Sequence, residues 1–159
     1  MTTLFHFDGA SYSPATPDEI LAAARSTLAH RIRRGTKLES PRAVSDFLTV
    51  RFGAHAHEVF TVIYLDNRHR LIDIEELFRG TLDGATVHPR EVVKEALARG
   101  AAAVILAHNH PSGVAEPSQA DELITRRLRE ALALVDVRVL DHLIVAGGEC
   151  VSFAERGLL

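Results

Sequence analysis

The chain has 159 residues, 47% of them apolar and 25% charged, which suits one soluble domain with a single sizeable core and excludes a disordered chain. A net charge of −3 gives no overall pull toward nucleic acid, and the lone Cys150 excludes an intrachain disulfide and any multi-cysteine zinc site. No run of eighteen apolar residues occurs, and Met1–Ala10 lacks a basic segment leading into an apolar one, so the expectation is a cytoplasmic protein with no membrane span.

After a turn-rich start, Pro17 with Asp18 and Glu19 opens a helical pattern. Ile20, Leu21, Ala24, Leu28 and Ile32 recur at helical spacing toward Gly35. This amphipathic segment is suited to docking on the main domain or on another subunit, which leaves a homo-oligomer open. Arg25, Arg31, Arg33, Arg34 and Lys37 cluster here without an acid, but no aromatic residue interleaves to stack a base, so they read as a solvated face. Residues 1–39 are therefore taken as an N-terminal extension and 40–159 as the main domain.

Ser40-Pro41 reads as a helix cap followed by proline at the first helical position, with Val44, Phe47, Leu48 and Phe52 as the apolar stripe ending at Gly53. Val59–Leu65 and Arg70–Ile74 flank the turn Asp66-Asn67 and predict a hairpin. Gly80 and Gly84 bracket a loop. His88-Pro89 then starts a helix whose buried face is Val92, Val93, Ala96 and Leu97, stopped by Gly100. Ala101–Ala107 is an apolar run of the kind found in a strand covered on both faces. A further helix opens at Ser118, with Leu123, Leu128, Ala131, Leu132 and Val135 as its apolar positions. Val137–Leu140 and Leu143–Val145 predict two strands, and Gly147-Gly148 turns into Cys150–Phe153. Helices alternating with strands, some joined by hairpins, predict an α/β layered domain with a mixed sheet.

The chemistry concentrates in His108–Asp121, HNHPSGVAEPSQAD. Histidines at i and i+2 of an extended segment project to the same side, so His108 and His110 can reach one ion. Asp121, in the first turn of the Ser118 helix, can complete a His₂Asp set that leaves a fourth position for water, a catalytic zinc geometry. Each half is weak alone. Ser118-x-x-Asp121 has capping-box spacing and needs no metal, and His55-Ala56-His57 is a second HxH in the same chain. The fixed separation of the two halves is what discriminates.

His108, His110, Pro111, Ser118 and Asp121 match the His-x-His-Pro, six residues, Ser, two residues, Asp pattern of the JAMM (MPN-type) metalloproteases. More closely, Phe78-Arg79-Gly80-Thr81-Leu82, Val87-His88-Pro89-Arg90-Glu91, Ala107–Gly113, Pro117-Ser118 and Asp141-His142 resemble, in order, the JAB-type domain of the RadC family. The resemblance covers about Ser40 to Leu159. It implies a three-layer α/β/α sandwich similar to the cytidine deaminases, with one zinc ion on His108, His110 and Asp121. It also implies that Ser118 orients the aspartate or helps stabilise an oxyanion, and that an upstream glutamate on a strand is the general acid/base. Glu58, at the head of the Val59–Leu65 strand, is assigned that role over Glu75, Glu76 and Glu91. His88, Thr81 and Arg90 are cleft candidates. Asp141 and His142 are candidates either for orienting a ligand imidazole or for a structural bond between strands.

The function implied is a zinc-dependent hydrolase acting on a peptide or protein substrate. Two alternatives stand behind it: a DNA-associated accessory protein or nuclease of the RadC type, and a non-catalytic interaction domain. No Gly-x-Gly hairpin flanked by helices, as longer RadC-family proteins carry, occurs before Ser40. The deaminase His-x-Glu and Pro-Cys-x-x-Cys pattern is also missing.

Overall fold

A computed structural model describes residues 3–38, 41–52, 55–80 and 86–159. The cap at Ser40, the stop at Gly53, the bracket glycine Gly84 and the cleft candidate Thr81 lie outside the described residues.

The chain opens with an antiparallel hairpin, β1 (Phe5–Phe7) and β2 (Tyr12–Pro14), where the sequence suggested only a turn-rich start. Helix α1 (Pro17–Arg31) follows, its start fixed by a reciprocal cap between Thr16 and Glu19. Leu28 and Ile32 join the core beside α2 (Pro41–Phe52), so the segment docks on the main domain.

Five further strands form one mixed sheet in the order β4-β3-β5-β6-β7. They are β3 (Val59–Leu65), β4 (Leu71–Arg79), β5 (Ala103–Asn109), β6 (Arg138–Ala146) and β7 (Glu149–Ser152). Only β5 and β6 run parallel, and α4 (Gln119–Ala133) connects them. Helix α3 (Pro89–Ala98) carries the chain from β4 back to β5, and a single turn of helix, α5 (Phe153–Arg156), follows β7.

Period-two alternation sorts the sheet's side chains into two cores. Val59, Ile63, Leu65, Ala103, Ile105, Ala107, Leu143 and Val145 face Val44, Phe47, Leu48 and Phe52 of α2. Phe60, Val62, Tyr64, Val104 and Leu106 face Val92 and Ala96 of α3 and Leu128 and Leu132 of α4. The result is a layered α/β domain with a mixed sheet, as the pattern predicts, in the α/β/α sandwich arrangement that the family resemblance implies. Every residue of β3 and β5 is buried, which explains why both read as unbroken apolar runs rather than alternating ones.

Several element boundaries differ from the prediction, among them β5, expected over Ala101–Ala107 and found over Ala103–Asn109, so that His108 lies within the strand. β4 runs on to Arg79, pairing with β3 as far as Val59, although Asp73, Glu75 and Glu76 break its apolar pattern. An edge strand with one solvated face tolerates such acids, and Arg99 bonds Asp73 at 3.0 Å and also Glu75. The two strands predicted over Val137–Val145 are one strand, because Asp141 and His142 are satisfied by side-chain partners and do not interrupt pairing with β5. The predicted strand end at Phe153 belongs to α5, capped by the Ser152 hydroxyl on the Glu155 amide.

Candidate metal centre

The same alternation that builds the two cores places His108. It follows Val104 and Leu106 on the α3/α4 face at the C-terminal end of β5, with Phe60 opposite it on β3 and its ring stacked at 6.1 Å from that of Phe60. His110 lies just past the strand, where its backbone N–H donates to Val145 at 2.9 Å. Its ring Nδ1 is 2.8 Å from the Val114 carbonyl. A carbonyl only accepts, so Nδ1 carries a proton and Nε2 is the nitrogen on the ring's other side.

That Nε2 lies 2.9 Å from Nε2 of His108. Asp121 closes the group, with Oδ1 at 3.1 Å from His108 Nε2 and Oδ2 at 3.4 Å from His110 Nε2. One ligand atom from each of the three residues falls within 4.8 Å of the others, so the group could hold a metal ion. Among the described residues no other such group of His, Cys, Asp or Glu occurs.

Asp121 does two things at once. Ser118 caps α4 by accepting the Asp121 amide at 3.2 Å, while Asp121 Oδ2 accepts the Ser118 backbone N–H at 2.7 Å and its hydroxyl at 2.6 Å. The cap and the approach to the histidines are therefore one arrangement, in which the serine fixes the carboxylate that faces the imidazoles. Burial alone would raise the Asp121 pKa, but hydrogen bonds with His108 and His110 outweigh it and hold the carboxyl well below the usual range. The reciprocal effect raises the pKa of His110, with the Asp121 bond the largest cause.

Glu58 lines the same cleft, about 610 Å³ in volume, with Phe60, Pro111, Ser118 and the α4 residues Leu123, Ile124 and Arg127. Its charge reaches His110, whose pKa it helps to raise. The residues His57 to Val59 are tied to β5 by Asn109. Its Oδ1 accepts the Val59 amide at 2.8 Å, and its Nδ2 donates to the His57 carbonyl at 3.0 Å.

The remaining candidates separate. Asp141 and His142 are neighbours on a strand and so point to opposite faces. His142 lies toward α4, fully buried, with Nε2 2.8 Å from His108 Nδ1 and Nδ1 2.6 Å from the Thr125 hydroxyl. Burial pushes its pKa well below the ordinary histidine value and keeps the ring neutral. Asp141 lies toward α2, where it accepts the Ser152 hydroxyl at 2.6 Å and the Ala154 amide at 3.0 Å, bracing β7 and α5 rather than the cleft. His88 is an exposed helix-start residue whose ring meets Phe78 at 6.1 Å, and it makes no side-chain cap bond. Arg90 is exposed and pairs with Glu91 at 3.5 Å along the outside of α3. Neither lines the cleft with Glu58 and His108. The second HxH is also separate: His57 contacts Arg79 at 3.3 Å, and His55 faces Glu76 at 3.6 Å.

Two residues missed from sequence are Asn109 and Thr125. Asn109 is the middle residue of His-x-His and must point to the opposite face of β5. Thr125 stands one helical turn after Asp121, where its side chain meets that residue's carbonyl.

The family profile described as RadC-like JAB domain matches residues 38–158. The chain is 63% identical over 139 residues to a UPF0758 protein of Nitrosococcus oceani, covering 87% of this chain and 62% of that one. It is 62% identical over 140 residues to a UPF0758 protein of Methylibium petroleiphilum, covering 88% and 63%. A UPF0758 protein of Thioalkalivibrio sulfidiphilus is 63% identical over 140 residues, covering 88% and 62%. The chain thus spans less than two thirds of the length of these relatives. With the sandwich and the His-His-Asp group in place, the match over residues 38–158 means that the chain belongs to the RadC-like JAB domain family.

Proposed function

We propose that this chain hydrolyses peptide or isopeptide bonds using one zinc ion held by His108, His110 and Asp121. The observation that carries the reading is the convergence of two imidazole nitrogens and a carboxylate in a cleft that Glu58 also lines. Nitrogen and carboxylate donors suit zinc, and three of them leave one position open. When bound, zinc lowers the pKa of water to near 7 and polarises a carbonyl.

The chain's own residues do the rest. Glu58 accepts the proton of the attacking water and passes it to the leaving amine nitrogen, a transfer in which one carboxylate serves first as base and then as acid. Ser118 donates its hydroxyl to Asp121 Oδ2 and so fixes the carboxylate that faces both histidines. Phe60, stacked on His108, and Leu123 and Ile124 across the cleft supply an apolar wall beside the reacting atoms. Such a wall strengthens the electrostatic contacts inside it.

Two measurements test this. Crystals of the zinc-treated protein, examined on both sides of the zinc absorption edge, are expected to give an anomalous peak among His108 Nε2, His110 Nε2 and Asp121. No peak in zinc-replete crystals sinks the metal assignment. Glu58→Gln is expected to keep that peak and to lower turnover of a peptide substrate by roughly 10²–10⁴-fold; retained turnover would remove Glu58 from the role.

A further inference from the structure

Behind the three convergent groups runs a chain of hydrogen bonds whose direction is determined at its far end. The Thr125 hydroxyl oxygen lies 2.6 Å from the main-chain carbonyl oxygen of Asp121. Two oxygens that close require a hydrogen between them, and a carbonyl has none, so Thr125 donates. A hydroxyl has only one hydrogen. Its other contact, 2.6 Å to Nδ1 of His142, must therefore be a bond it accepts from an Nδ1–H.

His142 is fully buried between the rings of Phe60 at 5.5 Å and Phe153 at 4.8 Å, and among the described residues its ring nitrogens contact only the Thr125 hydroxyl and the His108 ring. With no carboxylate bonded to it, the ring is neutral, because an uncompensated buried cation is too costly. A neutral ring with hydrogen on Nδ1 has a lone pair on Nε2. The 2.8 Å contact between that nitrogen and His108 Nδ1 is then donation from His108. A hydrogen on His108 is thereby placed on Nδ1, and its other ring nitrogen, Nε2, faces His110 and Asp121.

We infer that Thr125 and His142 are positioning residues that hold a hydrogen on Nδ1 of His108 through a one-way relay starting at the backbone carbonyl of Asp121. The relay begins and ends on the same site: the residue whose carboxylate faces the histidines also supplies, through its carbonyl, the acceptor that orients one of them. α4 thus contributes to the site twice, once through the first-turn carboxylate and once through Thr125 a turn later. The inference rests on the metal reading only for its benefit to affinity, since the hydrogen bond from His108 Nδ1 to His142 is a property of the metal-free protein.

The test uses ¹⁵N-labelled, metal-free protein and two-bond ¹H–¹⁵N imidazole spectra, which distinguish Nδ1–H from Nε2–H rings. In the wild type, His142 is expected as an Nδ1–H tautomer and His108 with a hydrogen on Nδ1. Thr125→Val keeps the volume and removes the hydroxyl; it is expected to abolish the uniform Nδ1–H state of His108 and to weaken zinc binding, measured by competition with a chromophoric chelator, by roughly 10–100-fold. Thr125→Ser is expected to restore both, which a purely packing role for the threonine methyl would not do. An Nε2–H tautomer at His108 or His142 in the wild type overturns the relay, and this spectrum decides even if Thr125→Val does not fold. Unchanged tautomer and affinity in Thr125→Val overturns it equally. If the tautomers and their response to Thr125→Val are as expected but no variant binds zinc, the relay stands and the metal reading fails.

Discussion

Asn109 sits between two histidines in sequence, yet its side chain leaves their side of the strand and ties down the segment that carries Glu58. It accepts from Val59 and donates to His57, so it holds the backbone on both sides of Glu58 against the strand that bears His108. The amide is buried, and removing it leaves a backbone donor and a backbone acceptor without their partner. Asn109→Ala is therefore expected to cost about 1–3 kcal/mol, read as a shift in urea midpoint with an unchanged m-value. It is also expected to reduce turnover more than zinc affinity, because it loosens Glu58 while leaving the three convergent groups in place. A loss confined to zinc affinity would show that Asn109 acts on β5 rather than on the Glu58 segment. Asn109→Asp serves as a sharper probe: it keeps the acceptor for Val59 but turns a carboxylate oxygen toward the His57 carbonyl.

At the scale of elements, the turn between β6 and β7 supports the loop that follows His110. Gly147 has φ +58, and a Cβ there would lie 2.8 Å from the carbonyl oxygen of Gly113. Gly148 has φ +86 with nothing within 4 Å of the same position. Both substitutions by alanine incur the left-handed backbone cost of about 1–2 kcal/mol, but only Gly147→Ala also drives a methyl group into the backbone of the loop. That loop contains the Val114 carbonyl that orients His110. Thermal denaturation is expected to rank Gly147→Ala well below Gly148→Ala, with weaker zinc binding only in the former. Equal melting temperatures and affinities would mean that the loop yields freely. How much of this was legible in the sequence follows from the range of the interactions. The helices and the β3 and β5 strands were readable because period and caps are local. His108, His110, Ser118 and Asp121 were readable because β5 leads through one short loop into α4. The continuity of β6 was not, since a polar Asp141-His142 pair looks like a break until Ser152 and His108 are known to satisfy it. Asn109 and Thr125 were missed because each acts through a backbone group, which carries no residue-specific signal. The β1–β2 hairpin was missed because its strands are three residues each and its residues are almost all exposed, so no buried face marks them.

For the molecule as a whole, the three convergent groups join the middle of the sheet to the helix layer that packs on it. His108 and His110 belong to β5 and the loop after it, at the middle of the sheet, and Asp121 belongs to the first turn of α4. An ion shared among them would bind the folded chain and not the unfolded one, so its free energy adds to folding stability. At a free zinc concentration a thousand times Kd the gain is about 4 kcal/mol, and for a domain of this size each kcal/mol moves the melting temperature by roughly 2–4 °C. Adding a chelator to the zinc-loaded protein is thus expected to lower the melting temperature by roughly 8–16 °C. Asp121 also caps α4, so its removal mixes two effects, and Ser118 helps to separate them. Ser118→Ala removes the hydroxyl of the cap while leaving the Asp121 carboxylate, and is expected to lower the melting temperature by a similar amount with and without zinc. Asp121→Asn retains side-chain oxygen for the Ser118 amide but loses the charge that faces the imidazoles. It is expected to abolish most of the zinc-dependent difference while changing the metal-free protein much less. Were Ser118→Ala to erase the zinc-dependent difference as fully as Asp121→Asn does, the serine would have to be assigned to the metal site itself and not only to the carboxylate it holds.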